Sequence, residues 1–352
     1  MVNKIRIQGY KSFRDSSVDL GNLNLLIGSN GAGKSNFLSL FELLNNAFEQ
    51  RLVSYVATIG GVDKLLFQGR KATEKIDIKL LMNDNSYELI LQEADGKLLV
   101  AEERLGYRSD AIDISSYTPE ANIKSYNGMT RGGYIKKYLS DIRKFHFHDT
   151  GRRSPFASEC HVINDAYTLY SNGENIASIL FRIQREKPIL YQRIIKIIQS
   201  VAPYFSDFYF NVSPADTLRL QWRDKYSEMI YGPNDLSDGT IRFIALVTLF
   251  MQPVLPSVVV IDEPELGLHP VAIQKLAGLM SAASKKGCQI IAATQSADLI
   301  GNFSPENVMT VDQEDGQTII NRLSNEDLGH WLNDYTLGDL WKQNIMKGGQ
   351  PQ

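Results

Sequence analysis

The chain opens with two short apolar patterns. Residues 4–8 (KIRIQ) put Ile5 and Ile7 on one face, as a half-buried strand requires, and Leu23–Ile27 (LNLLI) is an apolar strand running straight into glycines. A helix rich in Leu and Phe is predicted from Lys34 to about Phe48. Period-two alternation returns between about 75 and 103, at Ile76, Ile78 and Leu80, broken by turn residues at 83–86 and 95–96, which predicts an antiparallel sheet. Residues 106–128 read as a polar loop and 134–200 as mostly helical. Strands are predicted at 208–212, 218–222, 258–261 and 289–293, with a helix after Asp238 and another from Pro270 to about Ser284. The last regular feature pairs 308–311 with 318–322 across the acidic turn 312–316. There is no internal repeat, low-complexity tract or sustained heptad.

Composition narrows the class. With 352 residues and 43% hydrophobic content the chain can bury a sizeable core, as one large domain or two ordinary ones. A net charge of -3 excludes coating of nucleic acid by bulk charge, so any such contact needs a local patch. Two cysteines, Cys160 and Cys288, make no disulfide framework, and no export signal is visible in MVNKIRIQGYKSF, so a reducing, cytoplasmic location is expected. The uncharged run 243–261 is nineteen residues long, but Gln252, Pro253 and Pro256 split it into helix and strand, so no membrane span is expected.

The candidate chemistry begins at GSNGAGKS, Gly28 to Ser35, which fits Gly-x-x-x-x-Gly-Lys-Ser between a predicted strand and a predicted helix. Glycines at Gly28, Gly31 and Gly33 let backbone N–H groups converge on phosphate oxygens. Lys34 reaches the terminal phosphates and Ser35 offers its hydroxyl to Mg²⁺. Ser29, Asn30, Ala32 and Asn36 complete the expected nucleotide site. In VVVIDEPE a buried strand ends in Asp262, a magnesium carboxylate, followed by Glu263, a base for an attacking water. Adjacent carboxylates at a strand end repel each other, which favours a cation there.

A third anion-binding helix start, LSDGT at Leu236 to Thr240, has no local phosphate to bind. It resembles the signature turn of ABC-type ATPases, and the order of phosphate loop, long insertion, signature, Asp-Glu strand and Gln-Ser turn resembles their RecF, SMC and OLD branch. DEPELGLHP, together with YKSF, FHFHDT, SDGTIRF, ATQS and WLNDYTLGDLW, is similar to a family of stand-alone bacterial predicted ATPases over nearly the whole chain. The resemblance implies an α/β P-loop head with a mixed core sheet, a flanking antiparallel sheet and a helical insertion lobe. It implies a nucleotide-binding lobe of 1–105 and 235–352, an insertion of 106–234, and ATP and Mg²⁺ as cofactors. Two copies would close head to tail, with Ser237 and Gly239 acting on the partner's nucleotide. Gln295 stands where many such enzymes carry a γ-phosphate-sensing His. Gln68 is placed as the Gln linking lobe to magnesium. Lys11 and Ser12 resemble residues near base and ribose, or are an exposed turn. His269 is either a residue of the dimer seam or a cap on the helix opening at Pro270.

What the head is attached to is less constrained. The insertion has no heptads for a coiled coil, and about thirty residues follow Arg322, so a nuclease or other effector is expected to be a separate chain. Basic residues gather at Arg131, Lys136, Lys137, Arg143, Lys144, Arg152 and Arg153, and again at Arg182, Arg185, Lys187, Arg193 and Lys196. This patch reads as a DNA-phosphate surface or as a solvated or protein-docking face. His146 and His148, alternating along an expected strand, lack further ligands at zinc spacing and read as structural. The expected function is a hydrolysing sensor or motor of DNA repair and maintenance or antiviral defence. The alternatives are a nucleotide-gated scaffold with little turnover, and the motor of a membrane transporter.

Overall fold

The computed structural model describes residues 1–127 and 131–346. Strands β1 (Lys4–Tyr10), β2 (Phe13–Asp19) and β3 (Leu23–Ile27) lead into helices α1 (Lys34–Phe48) and α2 (Leu52–Thr58). Strands β4 (Lys75–Met82), β5 (Asn85–Ala94), β6 (Lys97–Tyr107) and β7 (Asp110–Thr118) follow, then α3 (Arg131–Ser140) and β8 (Ile142–Phe145). Short strands β9 (Cys160–His161), β10 (Phe205–Phe208), β11 (Thr217–Leu218), β12 (Trp222–Asp224) and β13 (Ile230–Tyr231) surround helices α4 (Ile176–Glu186) and α5 (Pro188–Gln199). The remainder comprises α6 (Asp238–Met251), β14 (Val258–Asp262), α7 (Pro270–Lys285), β15 (Gln289–Thr294), α8 (Ala297–Ile300), β16 (Val308–Glu314), β17 (Gln317–Arg322), α9 (Asn325–Leu328) and α10 (Leu337–Lys342).

Two compact units result: Met1–Lys144 with Ser257–Val260 and Gln289–Gln352, and Phe145–Pro256 with Ile261–Cys288. The first holds an antiparallel sheet in the order β2-β1-β4-β5-β6-β7 and a second, mixed sheet in the order β17-β16-β3-β15-β14-β8. In the mixed sheet β3 lies parallel to both β15 and β16, with Ile27 opposite Thr294 and Thr310. One apolar core takes Ile7 and Ile78 from the first sheet, Leu26 and Ile291 from the second, and Phe37 and Phe41 from α1. Phe37 and Phe41 meet edge to face at 5.6 Å, a favourable aromatic geometry. Within this core Glu103 is fully buried. It accepts hydrogen bonds from the Tyr87 hydroxyl (2.8 Å) and the Asn122 and Ile123 amides (2.7 and 3.1 Å), which pins the chain after the sheet. Burial pushes its carboxyl above the usual carboxylate range while these donors pull it back.

The second unit packs α4, α5, α6 and α7 together. Beside them Trp222 stacks on Phe205 at 5.8 Å and donates its indole N–H to the Gly232 carbonyl at 2.9 Å. Among the described residues no helix is long and apolar enough to cross a membrane.

The structure departs from the expected elements in identifiable places. Residues 106–118 are not loop: β6 runs to Tyr107 and β7 pairs with it from Val100↔Thr118 to Tyr107↔Asp110. As the sheet's outer strand, β7 buries only Ser115, so its sequence carries no apolar alternation. By contacts, residues 106–127 and 131–144 group with the first unit, and α6 and α7 with the second. Strand β8 stops at Phe145, so His146 and His148 lie beyond it; the His146 amide donates to the Ser171 carbonyl at 2.9 Å. The strand expected at 208–212 is displaced to Phe205–Phe208, and 218–222 divides between β11 and β12.

Candidate functional site

Strand β3 delivers the chain into Gly28–Ser35, and α1 begins immediately after Gly33. Two of the glycines are obligatory on steric grounds. A Cβ at Gly28 would stand 2.3 Å from the Val311 carbonyl oxygen, and one at Gly33, where φ is 113°, would stand 2.0 Å from the Thr318 hydroxyl. At Gly31 (φ 82°) the space is open. The first turn of α1 has no acidic residue and no side-chain cap hydrogen bond, which suits its positive end to an anion. Lys34 is 7% exposed and donates to the Gly28 and Ser29 carbonyls at 2.6 and 2.9 Å, so its charge is held inside the loop. From the end of neighbouring β15, Gln295 donates its side-chain amide to Asn30 Oδ1 at 2.8 Å, which brings two expected site residues together. Backbone N–H groups, a helix start and a buried ammonium form a cradle suited to an oligophosphate.

A cavity of about 710 Å³ adjoins this loop, lined among others by Lys11, Ser12, Asn36, Phe67, Gln68 and Gly316. Lys11 (φ 47°) donates to Ser39 Oγ at 2.8 Å. Burial lowers its ammonium pKa; Glu42 opposes this and Lys144 adds to it. Gln68 is exposed, with φ 56°, so it lines the cavity from a left-handed turn.

In the second unit, β14 ends at Asp262, and Glu263 follows with φ 43°, a conformation unusual for a residue with a side chain. The turn continues through amides of Leu266 and Leu268 donating to the Glu263 and Glu265 carbonyls at 3.1 and 2.9 Å. His269 caps α7, its Nδ1 accepting from the Val271 amide at 3.4 Å. Ser237 caps α6, its Oγ accepting from the Thr240 amide at 3.2 Å.

Arg242, to which the sequence alone assigns no role, donates to the Phe147, His148 and Leu266 carbonyls at 3.2, 2.9 and 3.1 Å. It thereby ties the signature helix to the loop after Glu263. Gly239 makes a second tie, since a Cβ there would stand 2.4 Å from the Gly267 carbonyl oxygen. Gly239→Ala separates two opposing terms. Helix propensity alone would stabilise by about 1 kcal/mol, whereas a backbone clash costs about 1–3 kcal/mol. The expected outcome is net destabilisation in urea unfolding; a more stable variant would contradict the tight packing.

The basic patch is less free than its sequence suggests. The side chain of Arg131 lies outside the described residues. Lys144 pairs with Glu42 at 2.8 Å, Arg143 with Asp141 at 3.8 Å, and Lys136 donates to the Lys124 and Tyr126 carbonyls. Arg182 pairs with Glu186 at 2.8 Å and lies 4.4 Å from the Tyr167 ring centroid.

Residues 1–122 match a family described as AAA ATPase domain. Residues 125–301, just over half of the chain, match one described as "AAA domain, putative AbiEii toxin, Type IV TA system". An ATP/GTP phosphatase of Helicobacter pylori is 22% identical over 307 residues, covering 76% of this chain and 77% of that one. The energy-coupling factor transporter ATP-binding protein EcfA of Methanocaldococcus jannaschii is 41% identical over 69 residues, which span only 19% of this chain and 24% of EcfA. Among solved structures, an Smc head bound to the C-winged helix domain of ScpA aligns with TM-score 0.63 at 16% identity, over 92% of this chain and 98% of that one. An Smc head with an extended coiled coil, bound to the C-terminal domain of ScpA derived from Pyrococcus furiosus, aligns with TM-score 0.56 at 15% identity, over 95% and 98%. At these identities the Smc heads speak for the fold, and the family matches speak for an ATP-binding ATPase. The chain belongs to the AAA domain family matched over 125–301 and has the fold of an Smc ATPase head.

Proposed function

We propose that the protein is an ATP-driven switch that closes head to tail with a second copy and reopens when Glu263 has directed hydrolysis. The observation that carries this reading is the pair of helix starts. The one at Lys34 opens from a loop with two sterically fixed glycines, and the one at Ser237 is exposed, capped by its own hydroxyl, with Asp238 in its first turn. In this reading the amides of Gly28–Ser35 and the Lys34 ammonium hold the β- and γ-phosphates, and Ser29, Asn30 and Asn36 line the loop. The cavity beside Lys11, Ser12 and Gln68 takes the base and ribose. Ser35 and Asp262 would hold Mg²⁺, and Gln68 is the third residue this reading assigns to it. When bound, the cation neutralises charge developing on the transferred phosphoryl group. Glu263 orients a water for in-line attack and accepts its proton, and the Ser237 and Gly239 amides contribute to the partner's γ-phosphate.

Effector coupling and a role in DNA maintenance or antiphage defence follow from the family resemblance. A separately encoded protein chain is the effector this reading expects. The Smc heads are described bound to ScpA, which supports a protein partner for a head of this fold. DNA is the weaker ligand, because several cations of the basic patch are already paired. A specific observation favours a second reading, the slow nucleotide-gated scaffold: Gln295 carries no charge and already bonds Asn30. Phosphate release by the wild type with Mg·ATP, with and without duplex DNA, separates them. Steady turnover supports the hydrolysing switch, and stimulation by DNA restores DNA as its ligand. Negligible turnover with an ATP-stable dimer would leave the scaffold.

A further inference from the structure

We infer that Thr318, on β17, is a positioning residue for the phosphate loop, acting through the hydrogen bonds of its hydroxyl to the Ala32 carbonyl and to Ser12. The inference rests on the nucleotide reading of that loop. Thr318 is fully buried and its hydroxyl lies 2.9 Å from the Ala32 carbonyl oxygen and 2.7 Å from Ser12 Oγ; Asn36 Nδ2 lies 2.8 Å from the same Ser12 oxygen. A hydroxyl has one proton, a carbonyl only accepts, and an amide nitrogen only donates. Thr318 is thus the donor toward both the Ala32 carbonyl and Ser12 Oγ, its one proton shared between them, and the Asn36 N–H donates to the same Ser12 oxygen. These hydrogen bonds start next to Ser35 on α1, pass through the β1–β2 turn, and end inside the loop between Gly31 and Gly33.

Its effect is to hold one peptide of the loop in a single orientation. With the Ala32 carbonyl turned to Thr318, the following amide, that of Gly33, is fixed by the planarity of the peptide, and so is the entry to α1. The same Thr318 side chain fills the space that a Cβ at Gly33 would need, so glycine and threonine specify each other. Backbone contacts keep Thr318 in place independently of its hydroxyl: its amide donates to the Ser12 carbonyl at 2.7 Å, and its carbonyl accepts from Ser16 Oγ at 3.4 Å. Neither family match reaches this residue.

Thr318→Val keeps the shape and those backbone bonds and removes only the hydroxyl, leaving the Ala32 carbonyl without its donor. Thr318→Ser keeps the hydroxyl. The experiment measures binding of a fluorescent ATP analogue and ATPase KM and kcat in wild type and both variants, with the nucleotide-free melting temperature as the folding control. The expected result is about tenfold weaker binding and a similar rise in KM for Thr318→Val, with the fold intact. Thr318→Ser is expected to stay within about twofold of wild type. Unchanged affinity in Thr318→Val, or equal loss in Thr318→Ser, overturns the positioning role while nucleotide binding stands. A wild type that binds no nucleotide overturns both.

Discussion

Lys34→Ala is expected to abolish useful ATP binding, weakening affinity by about 100-fold or more. Charge-assisted hydrogen bonds contribute about 1.5–3 kcal/mol each, and a factor of ten corresponds to about 1.4 kcal/mol, so losing the ammonium from a triphosphate accounts for that range. The structure gives a reason why no neighbour substitutes for it. Lys34 is 7% exposed and reaches the Gly28 and Ser29 carbonyls from the first residue of α1, inside a loop whose Gly28 and Gly33 are constrained by Val311 and Thr318. Removing it should leave both sheets intact, because the core takes Phe37 and Phe41 from α1. Calorimetric titration with Mg·ATP, beside a circular-dichroism check of folding, reads the result. A folded variant binding ATP within a few-fold of wild type would exclude Lys34 from the phosphate site.

The second large effect concerns Glu263. A positioned general base contributes about 10²–10⁴ in rate, so Glu263→Gln is expected to lower phosphate release by that order while ATP binding survives. Glutamine preserves the shape of the side chain but turns one acceptor oxygen into an NH₂ donor and removes the basicity. The site is built to hold the residue in place. Glu263 sits at φ 43° directly after β14, and its carbonyl accepts from the Leu266 amide at 3.1 Å. Such a backbone costs of order 1–3 kcal/mol and persists where surrounding structure enforces it. Here the loop is also tied to the signature helix by Arg242 and by the Gly239–Gly267 approach.

Much of this was legible in the sequence for local reasons. Gly-x-x-x-x-Gly-Lys-Ser after an apolar strand foretold the turn from β3 into α1, and alternation at Ile76, Ile78 and Leu80 foretold β4. What stayed hidden depends on partners distant in sequence. β7 is an outer strand with one buried residue, so no period marks it. Thr318 is a single threonine in a hairpin, and its meaning appears only when Ser12 and Ala32 are brought beside it. Arg242 carries charge in the sequence but binds only carbonyls in the contacts described above, a role that composition cannot distinguish from a solvated arginine. For His269 the sequence left two roles open, and the structure supplies the cap.

The most direct test of the account is the solution mass of Glu263→Gln with and without Mg·ATP, measured by sedimentation alongside phosphate release. Closure around nucleotide that cannot be hydrolysed predicts a shift from 39.6 kDa to twice that mass, stable while ATP is present, with little phosphate released. A variant that binds ATP yet stays a monomer, or one that hydrolyses ATP at the wild-type rate, would contradict the account.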